Sequence, residues 1–209
     1  MLYSRMIYLI ITTSICDRYG IEEIESRKRT YVECISRAIS LLPEGVKAIV
    51  VENNGSRETC LDDLACDVLY TDNNSISYIH KGVNEMNDIH HVIKHYGIGD
   101  EDMIIKLTGR YFLMDDSFIS TVAGNPDKDA FVKFFNVCTK EYMHNDCVLG
   151  LFAIKCKYIR RFYYIYPGLS PEIEFARFVR VNIPEDKLVS VTDLGLRCFF
   201  AGDLRILHV

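Results

Sequence analysis

The sequence predicts a single α/β domain over residues 1–209, built on a central mixed, mainly parallel sheet flanked by helices. Three observations carry that expectation. Short apolar runs alternate with segments of helical period, which is the pattern of βαβ units. The early apolar runs each end in polar or turn residues. With 49% apolar and 25% charged side chains in 209 residues, the chain can bury one substantial core but would be cramped as two.

The first strand is expected at residues 6–11, MIYLII, directly after Arg5. A charge followed by an apolar run also resembles a secretory signal. The run is short and β-branched, however, and passes through Thr12-Thr13-Ser14 without a small-residue cleavage site, which favours a buried strand. Tyr31, Val32, Ile35, Ala38, Ile39 and Leu42 then repeat at helical spacing, and Pro43 and Gly45 stop that helix. A second strand follows at 46–51 and a turn at Asn53-Asn54-Gly55-Ser56. A short helix is expected through Leu61 and Leu64, then a third strand at 67–70.

The next helix is expected over 81–96. It sets Met86, Ile89, Ile93 and Tyr96 on one face, with Gly97 as its C-terminal cap. A fourth strand at 103–107 precedes two later ones at 130–135 and 148–154. A Tyr-rich loop then leads to a helix capped by Ser170 with Pro171 in its first turn. The last strand-like segment is 196–200. There are no repeats or low-complexity linkers, and no apolar run approaches the roughly 18 residues a spanning helix needs.

The charge balance narrows the function. A net charge of -5 offers no basic face to a nucleic-acid backbone. The eight cysteines contain no CxxC pair and sit mostly in apolar stretches, which fits reduced thiols in a cytosolic setting. No GxGxxG follows the first strand, and GxxxxGK[ST], GxSxG and HExxH are absent, so the dinucleotide, P-loop, serine-hydrolase and zincin readings lose their usual support.

In an open parallel sheet, ligands bind beyond the carboxyl ends of the strands. Here those ends read Thr12-Thr13-Ser14, Glu52-Asn53-Asn54, Thr71-Asp72-Asn73-Asn74 and Lys106-Leu107-Thr108-Gly109-Arg110. Such hydrogen-bonding and charged groups suit a polar, nucleotide-like ligand.

Five segments in order carry a resemblance: Thr12-Thr13, Val51-Glu52-Asn53-Asn54, Lys81-Gly82-Val83-Asn84-Glu85, residues 104–111 and Ile173-Glu174. The sequence resembles GT-A-fold glycosyltransferases of viruses and bacteria, in particular the N-terminal glycosyltransferase domain of a chlorella virus multidomain protein. The resemblance implies a Rossmann-like GT-A sheet and transfer of a hexose or deoxyhexose from a UDP-sugar donor to a glycan hydroxyl. Further domains of a larger polypeptide are its expected companions.

It also implies site residues. Thr12, Thr13, Glu52 and Asn54 would hold base and ribose, since carboxylates and amides suit uracil N–H and ribose hydroxyls. The alternative is that Glu52 and Asn54 organise the turn. Asp72 would lie near ribose or sugar, or else form an Asx-turn. Lys81, opening a helix, would meet the diphosphate, or stay solvated. Arg110 would grip phosphate or sugar, with Gly109 permitting close approach, or pair with Asp115 or Asp116.

Where such enzymes carry Asp-x-Asp, this chain has Lys106-Leu107-Thr108. Lys106 would supply in fixed form the charge of a metal, with Thr108 bonding sugar or phosphate. Mn²⁺ or Mg²⁺ held by Asp72 and nearby carboxylates stays open. Glu174 is the expected base, with Asp146 in reserve. Its neighbour Glu172 lies about 200° away on a helix, so only one faces the cleft.

His91 and His95 share a helix face without a third zinc ligand in view. Tyr163, Tyr164 and Tyr166 would stack on an acceptor sugar or simply pack. Two rival functions remain. One is a nucleotidyltransferase, which normally has a Gly-rich loop where residues 12–19 stand. The other is a non-catalytic nucleotide-sugar or glycan-binding module with a degenerate transferase fold.

Overall fold

The computed structural model describes residues 5–16, 23–55, 58–75, 81–165, 168–199 and 205–209. Its strands are β1 (Ile7–Thr13), β2 (Val46–Glu52), β3 (Asp67–Tyr70), β4 (Met103–Thr108), β5 (Phe112–Leu113), β6 (Ala130–Val132), β7 (Leu151–Lys155), β8 (Leu188–Ser190), β9 (Leu196–Phe199) and β10 (Ile206–His208). Its helices are α1 (Ile24–Ser40), α2 (Lys81–Tyr96), α3 (Ser117–Gly124), α4 (Cys156–Ile159) and α5 (Pro171–Asn182).

Seven strands form one sheet in the order β3-β2-β1-β4-β7-β6-β8. β1 to β4 are mutually parallel, β7 alone runs against its neighbours, and β8 is parallel to β6, so the sheet is mixed and mainly parallel. A smaller antiparallel sheet has the order β10-β9-β5. The strand ends lie level, with Thr12 opposite Thr108, and Thr13 opposite Glu52.

Side chains alternate across the large sheet and bury both faces. Leu9, Ile11, Leu107 and Phe131 pack with Tyr31 and Ile35 of α1, Phe118 of α3 and the small sheet. Ile10, Ile104, Phe152 and Ile154 pack with Ile89 and Ile93 of α2 and Phe175 and Val179 of α5. Burial on both faces is why these strands read as continuous apolar runs.

The helix ends follow their local chemistry. Gly97 adopts φ +61, and the Ile98 N–H reaches back to the Ile93 carbonyl at 3.1 Å, closing α2 in the Schellman manner. Ser170 caps α5 by accepting from the Ile173 N–H at 3.3 Å, with Pro171 in the first turn.

Four expectations need correction. α1 begins seven residues before Tyr31, because Arg27 is buried and donates to the Ser14 carbonyl at 2.8 and 3.0 Å, so a charged residue occupies an inward position. The segment around Leu61 and Leu64 is a series of turns with i to i+3 bonds rather than a helix. The strand expected at 130–135 stops at Val132, and the one expected at 148–154 starts at Leu151. Of the final strand-like segment, residue 200 lies outside the described residues.

Candidate functional site

The chain passes outward from β1 to β2 and β3, then returns to the other side of β1 as β4, so β1 and β4 flank a topological switch point. At this point the Gly109 N–H donates to the Thr12 carbonyl at 2.9 Å. A Cβ on Gly109 would stand 2.8 Å from Thr13 Cγ2 and 3.1 Å from the Thr12 oxygen. The close approach that requires glycine here is therefore to β1, and the expectation of an approach to ligand is corrected.

On the β1–β2–β3 side a polar network joins the strand ends. The Glu52 carboxylate, fully buried, accepts from Thr13 Oγ1 at 2.6 Å, from the Ile15 N–H at 3.2 Å and from Asn54 Nδ2. Asn54 Oδ1 accepts from Asn74 Nδ2 at 2.7 Å, which also lies 3.3 Å from Ser14 Oγ. Glu52 and Thr13 are thus committed to fixing the segment after β1, the turn-organising alternative, and Thr12 Oγ1 makes only a long 3.5 Å contact with the Leu107 carbonyl. Asp72 is exposed, and its carboxylate takes no hydrogen bond among the described residues, so no Asx-turn forms. It is the open acid at the end of β3.

Below this network lies a carboxylate that sequence reasoning missed. Asp88 of α2 is completely buried and accepts from Asn73 Nδ2 at 2.6 Å and from Asn53 Nδ2 and Thr71 Oγ1 at 2.9 Å each. Burial pushes its carboxyl up to about 7 against the downward pull of those three donors. Asn53 Oδ1 is buried without a partner, so turning that amide over would let it accept from a protonated Asp88. The folded state therefore holds the proton more tightly than the unfolded chain.

The stability this group contributes is complete below its unfolded value near 3.8 and is lost as the pH rises through about 7. Urea unfolding between pH 4 and 7.5 should show a fall on the order of 2–4 kcal/mol that Asp88→Asn largely abolishes.

On the β4 side, Lys106 is 1% exposed, and its ammonium donates to Glu85 Oε2 and Thr108 Oγ1 at 2.6 Å and to the Leu149 carbonyl at 2.8 Å. Its three protons are thereby used, and Thr108 Oγ1 in turn lies 3.4 Å from Glu85 Oε1. Direct contact of Lys106 with a donor is corrected to an internal role, orienting Glu85 and Thr108. Arg110 donates to the Phe199 carbonyl of β9 and forms no ion pair with Asp115 or Asp116. Its guanidinium lies 5.3 Å from the Tyr111 ring centre and keeps further donors.

Lys81 is exposed at the first residue of α2. One residue on, a Cβ at Gly82 would stand 2.9 Å from Pro171 Cβ, so the first turns of α2 and α5 touch. Glu174 is buried and accepts from the Ile165 N–H at 3.0 Å, a bond that holds the preceding loop. Glu172 is the carboxyl raised above its ordinary range, by burial first and then by the charges of Asp146 and Glu85. Asp146 accepts from Asn136 Nδ2 at 2.7 Å and the Cys147 N–H at 2.8 Å. Of the two carboxylates that α5 separates, Glu172 rather than the expected base Glu174 is thus the one whose carboxyl is raised by burial and by Asp146 and Glu85.

Tyr163 is exposed and stacks on His90 with centres 4.7 Å apart, whereas Tyr164 meets Phe162 edge-on inside the core. Tyr166 lies outside the described residues. His91 Nδ1 stands 3.3 Å from Asn73 Nδ2, and among the described residues no three His, Cys, Asp or Glu side chains are arranged to hold a metal ion. Of the sequence-predicted residues, Thr12, Thr13, Glu52, Asn54, Asp72 and Thr108 sit at the carboxyl ends of β1 to β4, but several face inward. The missed ones, Glu85, Asn84 and Asp88, carried one signal: polar residues at helical spacing on the inward face of α2.

Solved structures share this fold. A mannosyltransferase from Pyrobaculum calidifontis, in complex with GDP-Man and Mn²⁺, superposes with a TM-score of 0.56 at 10% identity, over 92% of this chain and 56% of that one. Glucosyl-3-phosphoglycerate synthase from Mycobacterium tuberculosis, with Mn²⁺, UDP and glucosyl-3-phosphoglycerate, gives 0.58 at 13% identity, over 90% of this chain and 69% of that one. The fold is GT-A-like. CMP:2-keto-3-deoxy-manno-octonic acid synthetase complexed with CTP gives 0.54 at 11% identity, with 89% of each chain covered. This chain thus spans just over half the length of the mannosyltransferase. Compared by sequence, it matches no protein-family model and no curated protein.

Proposed function

We propose that the chain is a glycosyltransferase that moves a hexose or deoxyhexose from a nucleotide-diphosphate sugar, a UDP-sugar first among them, to a hydroxyl of a glycan. The observation that carries this reading is what converges at the end of β4. Among the described residues Arg110, just beyond β4, forms no ion pair; Arg110 and Glu172 both act electrostatically on Tyr111, and Lys81 opens α2, whose first turn touches that of α5.

Arg110, Lys81 and the two helix N-termini would stabilise the departing diphosphate. Asn54 and Asn74 would face the base, and Asp72 the ribose. Glu172 would take the proton of the acceptor hydroxyl as the new glycosidic bond forms and the bond to the diphosphate breaks. Among the described residues no three-ligand cation site forms, so no step is assigned to a metal.

Arg110→Ala should weaken nucleotide-sugar binding by about tenfold or more, the value of a charge-assisted contact. The melting temperature should fall only slightly, through the lost bond to Phe199. Arg110→Lys should restore only part of the affinity. Unchanged affinity in Arg110→Ala would remove this residue from the site.

One observation favours a second reading. The chain covers 89% of the CTP-bound synthetase and 91% of a 4-diphosphocytidyl-2C-methyl-D-erythritol synthase. A nucleotidyltransferase would consume CTP and release pyrophosphate. A thermal-shift screen of nucleotide sugars and of CTP, with and without Mn²⁺, followed by assays of donor hydrolysis and pyrophosphate release, separates the readings. Selective stabilisation by a nucleotide sugar with slow hydrolysis supports the transferase. Binding without hydrolysis or transfer leaves a binding module, and pyrophosphate release from CTP overturns both.

A further inference from the structure

A cavity of about 400 Å³ opens between the carboxyl end of β6 and the small sheet, lined by Met114, Asp115, Lys133, Asp193, Leu196 and His208 among others. Its size lies in the range of small-ligand pockets. Lys133 directly follows β6 and spends one ammonium proton on the Thr192 carbonyl, at 2.6 Å. Among the described residues it makes no ion pair, and its ammonium lies 5.0 Å from the Phe135 ring centre, so two N–H donors remain for a ligand. Asp193 uses Oδ1 to accept from the Gly195 N–H at 2.9 Å, and Asp115 uses Oδ1 to accept from the Ser117 N–H at 3.0 Å, which leaves Oδ2 of each.

The balance of groups selects the ligand class. Two carboxylates face one lysine and one histidine, so no net positive charge is available to hold a phosphate. Among the described residues these groups are not arranged to hold a metal ion. Acceptors and donors interleaved with the apolar walls of Met114 and Leu196 match the hydroxyls and C–H faces of a sugar. Gly195 keeps the space open: its φ is +58, and a Cβ there would stand 3.0 Å from Asp115 Oδ1.

The cavity is also joined to the end of β4. Its wall residue Leu196 lies 3.6 Å from where a Gly150 Cβ would stand, and the Tyr111 ring packs against the same glycine. The preceding residue, Arg110, donates to Phe199 on the strand that carries Leu196.

We propose that this cavity is a carbohydrate subsite that seats the sugar of the acceptor, its acceptor role resting on the transferase reading. Lys133 donates to ring or hydroxyl oxygens, and Asp115 and Asp193 accept from hydroxyls. The test is an NMR titration of the protein with the methyl glycosides of glucose, galactose, mannose and N-acetylglucosamine. Wild type is compared with Lys133→Met and Asp193→Asn, and inorganic phosphate serves as a parallel probe.

At least one glycoside should shift the Thr192 and Gly195 amides, and each variant should weaken that binding about fivefold or more while the affinity for nucleotide sugar is kept. Absence of glycoside shifts, equal binding by the variants, or shifts with phosphate alone would overturn the proposal. The surface residue Asp193 serves where Lys133→Met fails to fold. Glycoside binding without nucleotide-sugar binding sinks the transferase reading and upholds the sugar subsite, and the converse result does the reverse.

Discussion

Lys106→Met is expected to destabilise the fold by about 2–4 kcal/mol, measured as a shift of the urea midpoint at an unchanged slope. Lys106 is 1% exposed and binds three acceptors, so the variant strands the Glu85 carboxylate beside a hydrocarbon chain. Glu85 keeps 26% side-chain exposure, which lets water reach it and holds the expected loss toward the lower part of the range for broken buried pairs.

Adding Glu85→Gln to Lys106→Met should recover most of that loss, because the amide no longer needs a counter-charge. A double-mutant cycle with coupling below about 0.5 kcal/mol would mean that the two groups do not act as a pair. The same experiment bears on function, because a lysine placed to touch the donor would cost affinity without costing stability.

Glu172→Gln is expected to lower the transfer rate by about 10²- to 10⁴-fold, the usual contribution of a positioned base, while donor affinity changes little. Burial, then Asp146 and Glu85, hold the Glu172 carboxyl above the ordinary glutamate range. The acid limb of kcat/KM should therefore lie above that range and disappear in the variant. Glu174→Gln is the matched comparison. That side chain accepts from the Ile165 N–H at 3.0 Å, so exchanging the charged acceptor for a neutral amide oxygen should cost about 1 kcal/mol of stability or less and leave the pH limb in place. A reversal of the two phenotypes would return the base to Glu174.

Both carboxylates were visible in the sequence, but their assignment was not. Their separation on α5 shows that they diverge, whereas which one feels Glu85 depends on how α5 lies against α2, whose first turns meet where Gly82 approaches Pro171, 89 positions apart in the chain. β1, β2 and β4 were legible because burial on both faces writes them as mainly apolar runs, interrupted by Lys47 and Lys106, that stop where the backbone meets polar groups; β3, without a fully buried residue, was legible from Val68, Leu69 and Tyr70. The same rule placed Thr12, Glu52, Asp72 and Thr108 at the strand ends, where the site is proposed.

What local pattern could not show was which of these polar groups satisfy one another. Glu52 closes on Thr13 and Ile15, and Lys106 meets Glu85 across 21 positions, contacts that exist only once β1, β2, β4 and α2 are assembled. Asp88 was hidden for the same reason, since its three partners come from the ends of β2 and β3 and the turn after them. Strands of two or three residues, such as β5, β8 and β10, carry too few side chains for any period to register.

The central claim is that the carboxyl ends of β1 to β4 bind a nucleotide-diphosphate sugar, and isothermal titration calorimetry tests it most directly. UDP, UDP-glucose, UDP-galactose and GDP-mannose would each be titrated into the wild-type protein and into Arg110→Ala, with Mn²⁺ and with chelator. The account predicts one-site binding of at least one nucleotide sugar by the wild type, weakened about tenfold or more in Arg110→Ala. No binding of any of the four by the wild type, with or without Mn²⁺, would contradict it.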